Sequence, residues 1–297
     1  MFLIWGFIEI NLLAFIPLIS LEKKINSHIL GLKYFFVQAL GSILMLISFI
    51  YLINFNRFFI FIFLIRVLWK IGAPPFHFWF FSLNIDLNWT IFLILNTWQK
   101  ILPIYILRKI YLQNFELVIF ISLLIAIAGS LFQFRVKKLL IFSSIFTGAW
   151  IIASIICYKS IWFFLLFIYS FLLVIFILFL KTNKSELKER QNYFLMSLTE
   201  KITQFLILLT IAGVPPFIGF FIKILVLAVL VISYYYFLPF ILVICSIFIV
   251  YIYIRIFLAS LSIYHSNNKI LFNFKIIPLY FIFIFLIFYG RVVYLIL

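Results

Sequence analysis

Long apolar runs, broken by short polar clusters, dominate the chain from end to end. An apolar run of about 20 residues matches the hydrocarbon thickness of a bilayer when wound as a helix. On that measure the pattern predicts ten helices, near residues 1–20, 30–53, 57–83, 89–111, 115–134, 138–158, 160–180, 201–229, 232–262 and 275–296. The third and eighth runs each hold a proline pair, Pro74-Pro75 and Pro215-Pro216. Proline lacks the amide hydrogen and clashes with the preceding turn, so each of these two helices is expected to be broken. The residues around the breaks resemble one another, Gly72-Ala73-Pro74-Pro75-Phe76 against Gly213-Val214-Pro215-Pro216-Phe217. The eighth span lies five steps after the third, an odd number, so the second broken helix would cross in the direction opposite to the first. Inverted repeats with broken helices meeting near the midplane are a transporter pattern.

Composition fixes the solvent. Of 297 residues, 68% are apolar and 10% charged, which cannot furnish the polar surface of a soluble domain. The expected fold class is therefore an all-α integral membrane protein with an inverted-repeat arrangement. The net charge of +16 changes the reading little, because the Lys and Arg residues mostly punctuate apolar runs. The aromatic residues sit inside spans rather than on a basic surface, which argues against nucleic-acid binding. Most loop Lys and Arg fall on the side that holds the connections after the odd-numbered spans. The positive-inside rule places that side in the compartment of synthesis and both termini opposite. The one strongly charged stretch, residues 181–201, lies on the same inner side and reads as an amphipathic connector or a solvated linker. Met1 to Ser20 includes Glu9 and lacks a basic leader and a cleavage pattern, so no removable presequence is expected. Codons for the dominant Phe, Ile, Leu, Lys, Tyr and Asn are A+T-rich, as in organelle genomes.

An ionisable side chain at membrane depth is costly and so marks function by default. Those candidates are Glu9, Arg66, Lys70, His77, Lys100, Lys223 and Arg255. Lys70 and Lys100 lie at similar chain distances on either side of the Asp86 connection, so they should reach one depth on neighbouring helices. Glu9 is the only acid far from a loop, and Lys70 beside the break is its natural partner. A lysine near a movable acid can hold or release a proton as the acid approaches or retreats. Snorkelling to the interface is the alternative for the lysines, and for Arg66 and Arg255, nearer their helix ends, it is an equal one. His77 follows the break, where unwound backbone gathers water, and reads either as a proton relay or as a packed histidine. No nucleotide, haem or metal motif occurs, and Cys157 and Cys245 stand apart without histidine partners.

Taken in order, Glu9 to Pro17, Lys70 through Trp79, Thr97-Trp98-Gln99-Lys100, Ser143-Ser144 with Gly148, and Gly213 to Lys223 resemble the chain 2 family of antiporter-like membrane subunits in mitochondrial NADH:ubiquinone oxidoreductase, complex I. The resemblance runs over about residues 6–225. It implies a proton-translocating core subunit of the membrane arm in the mitochondrial inner membrane, with both termini in the intermembrane space. It assigns proton transfer to Glu9, Lys70, Lys100 and Lys223, while His77, Arg66 and Thr147 are secondary candidates from the residues themselves, Thr147 as a hydroxyl that orders water or packs a helix. It implies an antiporter-like half over 1–111, a second over 112–262 that includes the polar connector, and a C-terminal helix in 263–297. NADH, FMN, iron–sulfur clusters and ubiquinone are then expected in other subunits, with no cofactor or metal held here. Expected partners are neighbouring antiporter-like subunits, small core membrane subunits and membrane lipids. Two departures from the family stand out. Glu9 is so near Met1 that the first repeat would be expected to lack one helix, and Thr147 stands where many relatives have histidine. A noncatalytic scaffold and a free-standing cation/proton antiporter are the other readings of the same residues.

Overall fold

The computed structural model describes residues 2–22, 27–52, 57–109, 115–133, 135–156, 160–182, 198–215 and 217–265. Among the described residues every regular element is an α-helix and none is a strand. The elements are α1 Phe2–Ser20, α2 Ser27–Leu52, α3 Arg57–Ile71, α4 Phe78–Asp86, α5 Trp89–Asn96, α6 Trp98–Lys109, α7 Phe115–Leu131, α8 Val136–Ile156, α9 Ile161–Thr182, α10 Leu198–Ala212, α11 Ile218–Ile232 and α12 Phe237–His265. Six of the described helical stretches are long and apolar enough to cross a bilayer, and the protein is a multi-pass membrane protein. Pro216, the helix expected at 275–296 and most of the 181–201 connector lie outside the described residues.

The chain forms two compact units, Met1–Ser122 and Leu123–Leu297. In the first, α3 packs against α2 and α6, and α1 lies on α2 with an edge on α6. Leu3, Phe7, Ile10 and Leu13 of α1 point outward, as do Leu32, Phe36, Leu40, Ile43 and Ile47 of α2. Steps of three and four residues put each set on one helix face, a lipid-facing stripe that would be an aggregation surface in water. In the second unit, α11 packs on α8, α9, α10 and α12, and α10 packs on α9 and α12. Of the spanning window of α8, 94% is buried, so α8 is the inner post of that unit and its hydroxyls face protein.

Both proline segments begin with the same helix ending. After α3, Gly72 takes φ 73°, its amide donates to Trp69 O (3.1 Å), and the Ala73 amide donates to Leu68 O (3.0 Å). After α10, Gly213 takes φ 77°, with Gly213 N to Thr210 O (3.2 Å) and Val214 N to Leu209 O (3.2 Å). These are paired Schellman bonds around a left-handed glycine. The next turn also repeats, Phe76 N to Ala73 O and Phe217 N to Val214 O, each 2.9 Å. The short sequence repeat thus encodes a repeated backbone device, which turns the chain before α4 and before α11.

The expected continuous helix over 89–111 is in fact divided into α5 and α6. Thr97 leaves the helical bond pattern (φ −115°, ψ −75°), its hydroxyl donates to Leu93 O at 2.8 Å, and Lys100 N reaches only as far as Thr97 O. Pro103 inside α6 supplies the physical reason, since it cannot bond the Gln99 carbonyl and crowds the turn before it. The division places Lys100 in the first turn of a new helix.

A third left-handed ending comes without glycine. Tyr234, 82% exposed, takes φ 65° while Tyr235 N donates to Leu230 O, so α12 begins at Phe237 rather than at the expected 232. A side chain in that conformation costs roughly 1 kcal/mol that glycine does not. Tyr234→Gly is expected to raise the heat resistance of the assembled protein slightly, measured as the fraction kept in native assembly after graded heating. An unchanged or lower value would show that the ring contributes elsewhere.

Candidate proton-transfer sites

In the first unit, Lys70 in the last turn of α3 and Lys100 in the first turn of α6 are each 5% exposed and line one cavity together with Asn11, Tyr34, Gln38 and Gln99. The two lysines thus share one polar space, as their chain distances from the Asp86 connection suggest. Asn11 Nδ2 donates to Gln99 Oε1 (2.7 Å), Gln99 Nε2 donates back to Asn11 Oδ1 (3.2 Å), and the Tyr34 hydroxyl donates to Gln99 Oε1 (3.2 Å). Gln99 therefore ties α1, α2 and α6 together beside Lys100. Phe80 closes another side, with Lys100 Nζ 4.8 Å from its ring centroid, a cation–π contact that favours a charged ammonium. Gly41 leaves the space for the Lys70 stem, since a Cβ there would stand 3.4 Å from Lys70 Cγ.

Glu9 lies within electrostatic range of Lys70, but no hydrogen bond joins them. Lys70 Nζ and Glu9 Oε1 are both buried without a hydrogen-bond partner. Two buried ionisable groups held near each other and out of contact are under-satisfied, and bridging water is the ordinary remedy. Neither Arg66 nor His77 lines the cavity. Arg66 extends over the Trp69 ring at 5.6 Å, and the His77 ring lies 4.4 Å from that of Phe78 with its Nδ1 buried and unbonded.

In the second unit the organising residue is Lys223 of α11, 4% exposed. Its ammonium donates to the carbonyl of Ala212, the last residue of α10, and stands 5.2 Å from the Phe146 ring and 5.1 Å from that of Trp150. A helix C-terminus carries partial negative charge, and two aromatic faces add to it, so the site is built for a cation that has left water. Gly213 makes the approach possible, because a Cβ there would sit 2.8 Å from Lys223 Cδ. Thr147 is buried on α8, its hydroxyl donating to Ser144 O at 3.2 Å. Arg255 on α12 is half-buried.

Reading only ionisable residues missed the neutral polar ones. Tyr34 and Gln38 stand one helical turn apart, and this spacing of polar residues inside an apolar run was the available signal. Lys201, read from sequence as the end of the 181–201 connector, and Gln204, inside the eighth apolar run, are both fully buried on α10.

This fold occurs in solved chains of low sequence identity. It resembles a chain of respiratory complex I from Thermus thermophilus with bound aureothin, with a TM-score of 0.70 and 18% identity, over 86% of this chain and 64% of that one. It also resembles a chain of the Mrp complex from Dietzia sp. DQ12-45-1b, with a TM-score of 0.71 and 16% identity, over 88% of this chain and 55% of that one. The protein thus spans less than two thirds of either solved chain, and its fold is antiporter-like. The family model described as NADH:quinone oxidoreductase/Mrp antiporter, TM, matches residues 1–59 and 53–249, and this chain belongs to that family. Within it, the chain is 34% identical to NADH-ubiquinone oxidoreductase chain 2 of Anopheles gambiae, over 89% of this chain and 81% of that one. It is 35% identical to the protein of the same name from Aedes aegypti, over 89% and 80%.

Proposed function

We propose that this chain is a core membrane-arm subunit of respiratory NADH:ubiquinone oxidoreductase that moves protons across the mitochondrial inner membrane, while electrons pass from NADH to ubiquinone in other subunits. The observation that carries the reading is the polar cavity shared by Lys70 and Lys100 inside an apolar bundle. A lysine there costs several kcal/mol unless hydrated or partnered, and a fold that only had to pack would gain more from leucine or methionine at the same places. The names of the relatives supply the enzyme.

In this reading Glu9 governs the charge on Lys70, Lys100 receives the proton from Lys70 through the shared cavity, and Lys223 is the terminal site of the second half. Arg66, His77 and Thr147 are secondary groups that tune or hydrate those sites. The architecture is ten spans, two of them broken at Pro74-Pro75 and Pro215-Pro216, in an antiporter-like half over 1–111 and another over 112–262, with a last helix in 263–297. Both termini face the intermembrane space. NADH, FMN, iron–sulfur clusters and ubiquinone are held by other subunits, and the neighbours are other antiporter-like and small core membrane subunits together with lipid. Moving one charge against the membrane potential costs about 2.3 kcal/mol per 100 mV, so energy must arrive through those neighbours by shifting a two-state element.

A tagged copy of the chain is expected to copurify with NADH–ubiquinone reductase activity from mild-detergent extracts. Recovery without that activity would favour a free-standing antiporter. Buried lysines also separate this reading from a scaffold, which would tolerate their replacement by methionine with proton translocation intact.

A further inference from the structure

Two asparagines of the first unit stand where neither a helix nor a bilayer favours them. Asn84 lies inside α4 and Asn96 is the last residue of α5, and they are 0% and 1% exposed. Asparagine is a poor residue for a helix interior because its amide competes for backbone bonds. Burying that amide in an apolar bundle is costly unless its polar atoms are paired. Here most of them are. Asn84 Nδ2 donates to Phe80 O, one turn back on its own helix, at 2.8 Å. Asn96 Nδ2 donates in the same way to Phe92 O at 2.8 Å and, with its other hydrogen, to Asn84 Oδ1 at 2.9 Å. That last bond joins α4 to α5 away from the turn at residues 87–88 that connects them along the chain. Asn96 Oδ1 is left buried without a partner. Packing alone therefore does not account for the pair, since leucine at both positions would leave no polar side-chain atom unmatched.

The pair lies beside the lysine cavity without lining it, whereas Phe80, one turn before Asn84, and Leu95, next to Asn96, are both in the cavity wall. The carbonyl that Asn84 bonds belongs to the residue whose ring faces Lys100, with Nζ 4.8 Å from the Phe80 centroid. Asn96 immediately precedes Thr97, where α5 ends and whose carbonyl accepts from Lys100 N at 3.2 Å. Three links, Asn84, Asn96 and the Thr97 turn, thus run from the backbone of Phe80 to the backbone of Lys100. Another bond fastens the same short helix at its start. Trp79 Nε1 donates to Trp69 O at 3.0 Å, the carbonyl next to Lys70 in the last turn of α3. α4 is therefore a strut, tied at its start to the helix that carries Lys70 and along its body to the helix that leads into Lys100. The contact it carries depends on register. A cation–π contact acts within about 6 Å of the ring centroid, and sliding α4 by one turn is a shift of about 5.4 Å.

We infer that Asn84 and Asn96 are positioning residues for proton transfer: the hydrogen bond between their amides holds α4 in register, so that the Phe80 ring meets the Lys100 ammonium in the cavity shared with Lys70. Neither amide touches the transferred proton. When Lys100 takes up a proton it becomes a cation inside an apolar bundle, and the face of Phe80 replaces part of the hydration it has left behind. A ring displaced together with α4 withdraws that support. The inference rests on the proposed proton-translocating role of Lys100.

The test uses the assembled complex in sealed membrane vesicles, reading protons translocated per NADH oxidised beside the amount assembled on native gels. Asn84→Thr and Asn84→Val share one shape and differ in a hydroxyl, which can donate to Phe80 O and accept from Asn96. Asn84→Leu combined with Asn96→Leu removes both amides together, so neither is left orphaned. Phe80→Leu is made alone and added to that leucine pair. Ser48→Ala, which deletes a buried hydroxyl donating to Met45 O, serves as the control. The expected result is that Asn84→Val and the leucine pair at least halve the ratio with assembly preserved, while Asn84→Thr and the control keep it. Phe80→Leu alone should lower the ratio but lower that of the leucine pair no further, whereas an independent structural defect would add to it. Full pumping in the assembled leucine pair or in Phe80→Leu, a further loss in the combined variant, or equal losses in Asn84→Thr and Asn84→Val each overturns the inference. Where the leucine pair fails to assemble, the comparison of Thr with Val decides. A normal ratio in Lys100→Met would instead mean that the proton-translocating reading itself has failed, which keeps the two failures apart.

Discussion

Lys223→Met is expected to abolish proton translocation coupled to NADH oxidation while the complex still assembles. Methionine nearly reproduces the length and apolar stem of lysine. The variant also removes the cost of holding a charge out of water, which offsets the lost bond to the Ala212 carbonyl. What the variant loses is the ammonium that the Ala212 carbonyl and the Phe146 and Trp150 rings receive. These partners also explain why Lys223→Glu should behave worse than Met, since a carboxylate would face a carbonyl and two aromatic faces that repel it. Assembly is checked on native gels and translocation by a pH-sensitive dye in sealed vesicles. Normal dye response in an assembled Lys223→Met complex would remove Lys223 from the path.

A larger structural effect is expected at Gly219. A Cβ built there would stand 2.0 Å from the Thr210 carbonyl oxygen and 3.4 Å from Gly213 Cα. Both are backbone atoms of α10 and its cap, so no side chain can swing away, and α11 would have to separate from α10. Overpacking a core usually costs 1–3 kcal/mol, and a backbone clash of this kind should reach or exceed the upper end, about 3 kcal/mol. It would also carry Lys223 away from Ala212. Gly219→Ala should therefore deplete the assembled complex on native gels and reduce pumping in what remains. Gly148→Ala is the matching control, because nothing lies within 4 Å of a Cβ there. Equal amounts of assembled complex for the two variants would contradict the close approach of α10 and α11.

Spans could be read from sequence because a bilayer imposes one length on every apolar run. Where other forces set the boundary, the reading slipped. Pro103 was visible but was absorbed into a long apolar run, so the division at Thr97 that places Lys100 in a first turn went unread. Tyr234 moved the start of α12 through a left-handed turn for which a tyrosine gives no warning. At the proline segments the sequence predicts breaks from the prolines alone, whereas the described residues show left-handed glycine caps at Gly72 and Gly213. Charged site residues stood out because each is costly in lipid. Asn11, Gln99 and Tyr34 did not, since a neutral amide or phenol inside an apolar run is cheap enough to be commonplace, and their joining of α1, α2 and α6 exists only in three dimensions.

Lys100 ties these observations to function, because it shares the cavity with Lys70 and faces the Gln99 network. The decisive measurement is the number of protons translocated per NADH oxidised by assembled complexes carrying Lys100→Met, in sealed membranes, beside the unsubstituted protein. Conduction through this chain predicts a lower ratio, or loss of coupled turnover, with assembly intact. An unchanged ratio in a fully assembled complex would contradict it and leave the chain a scaffold of the membrane arm.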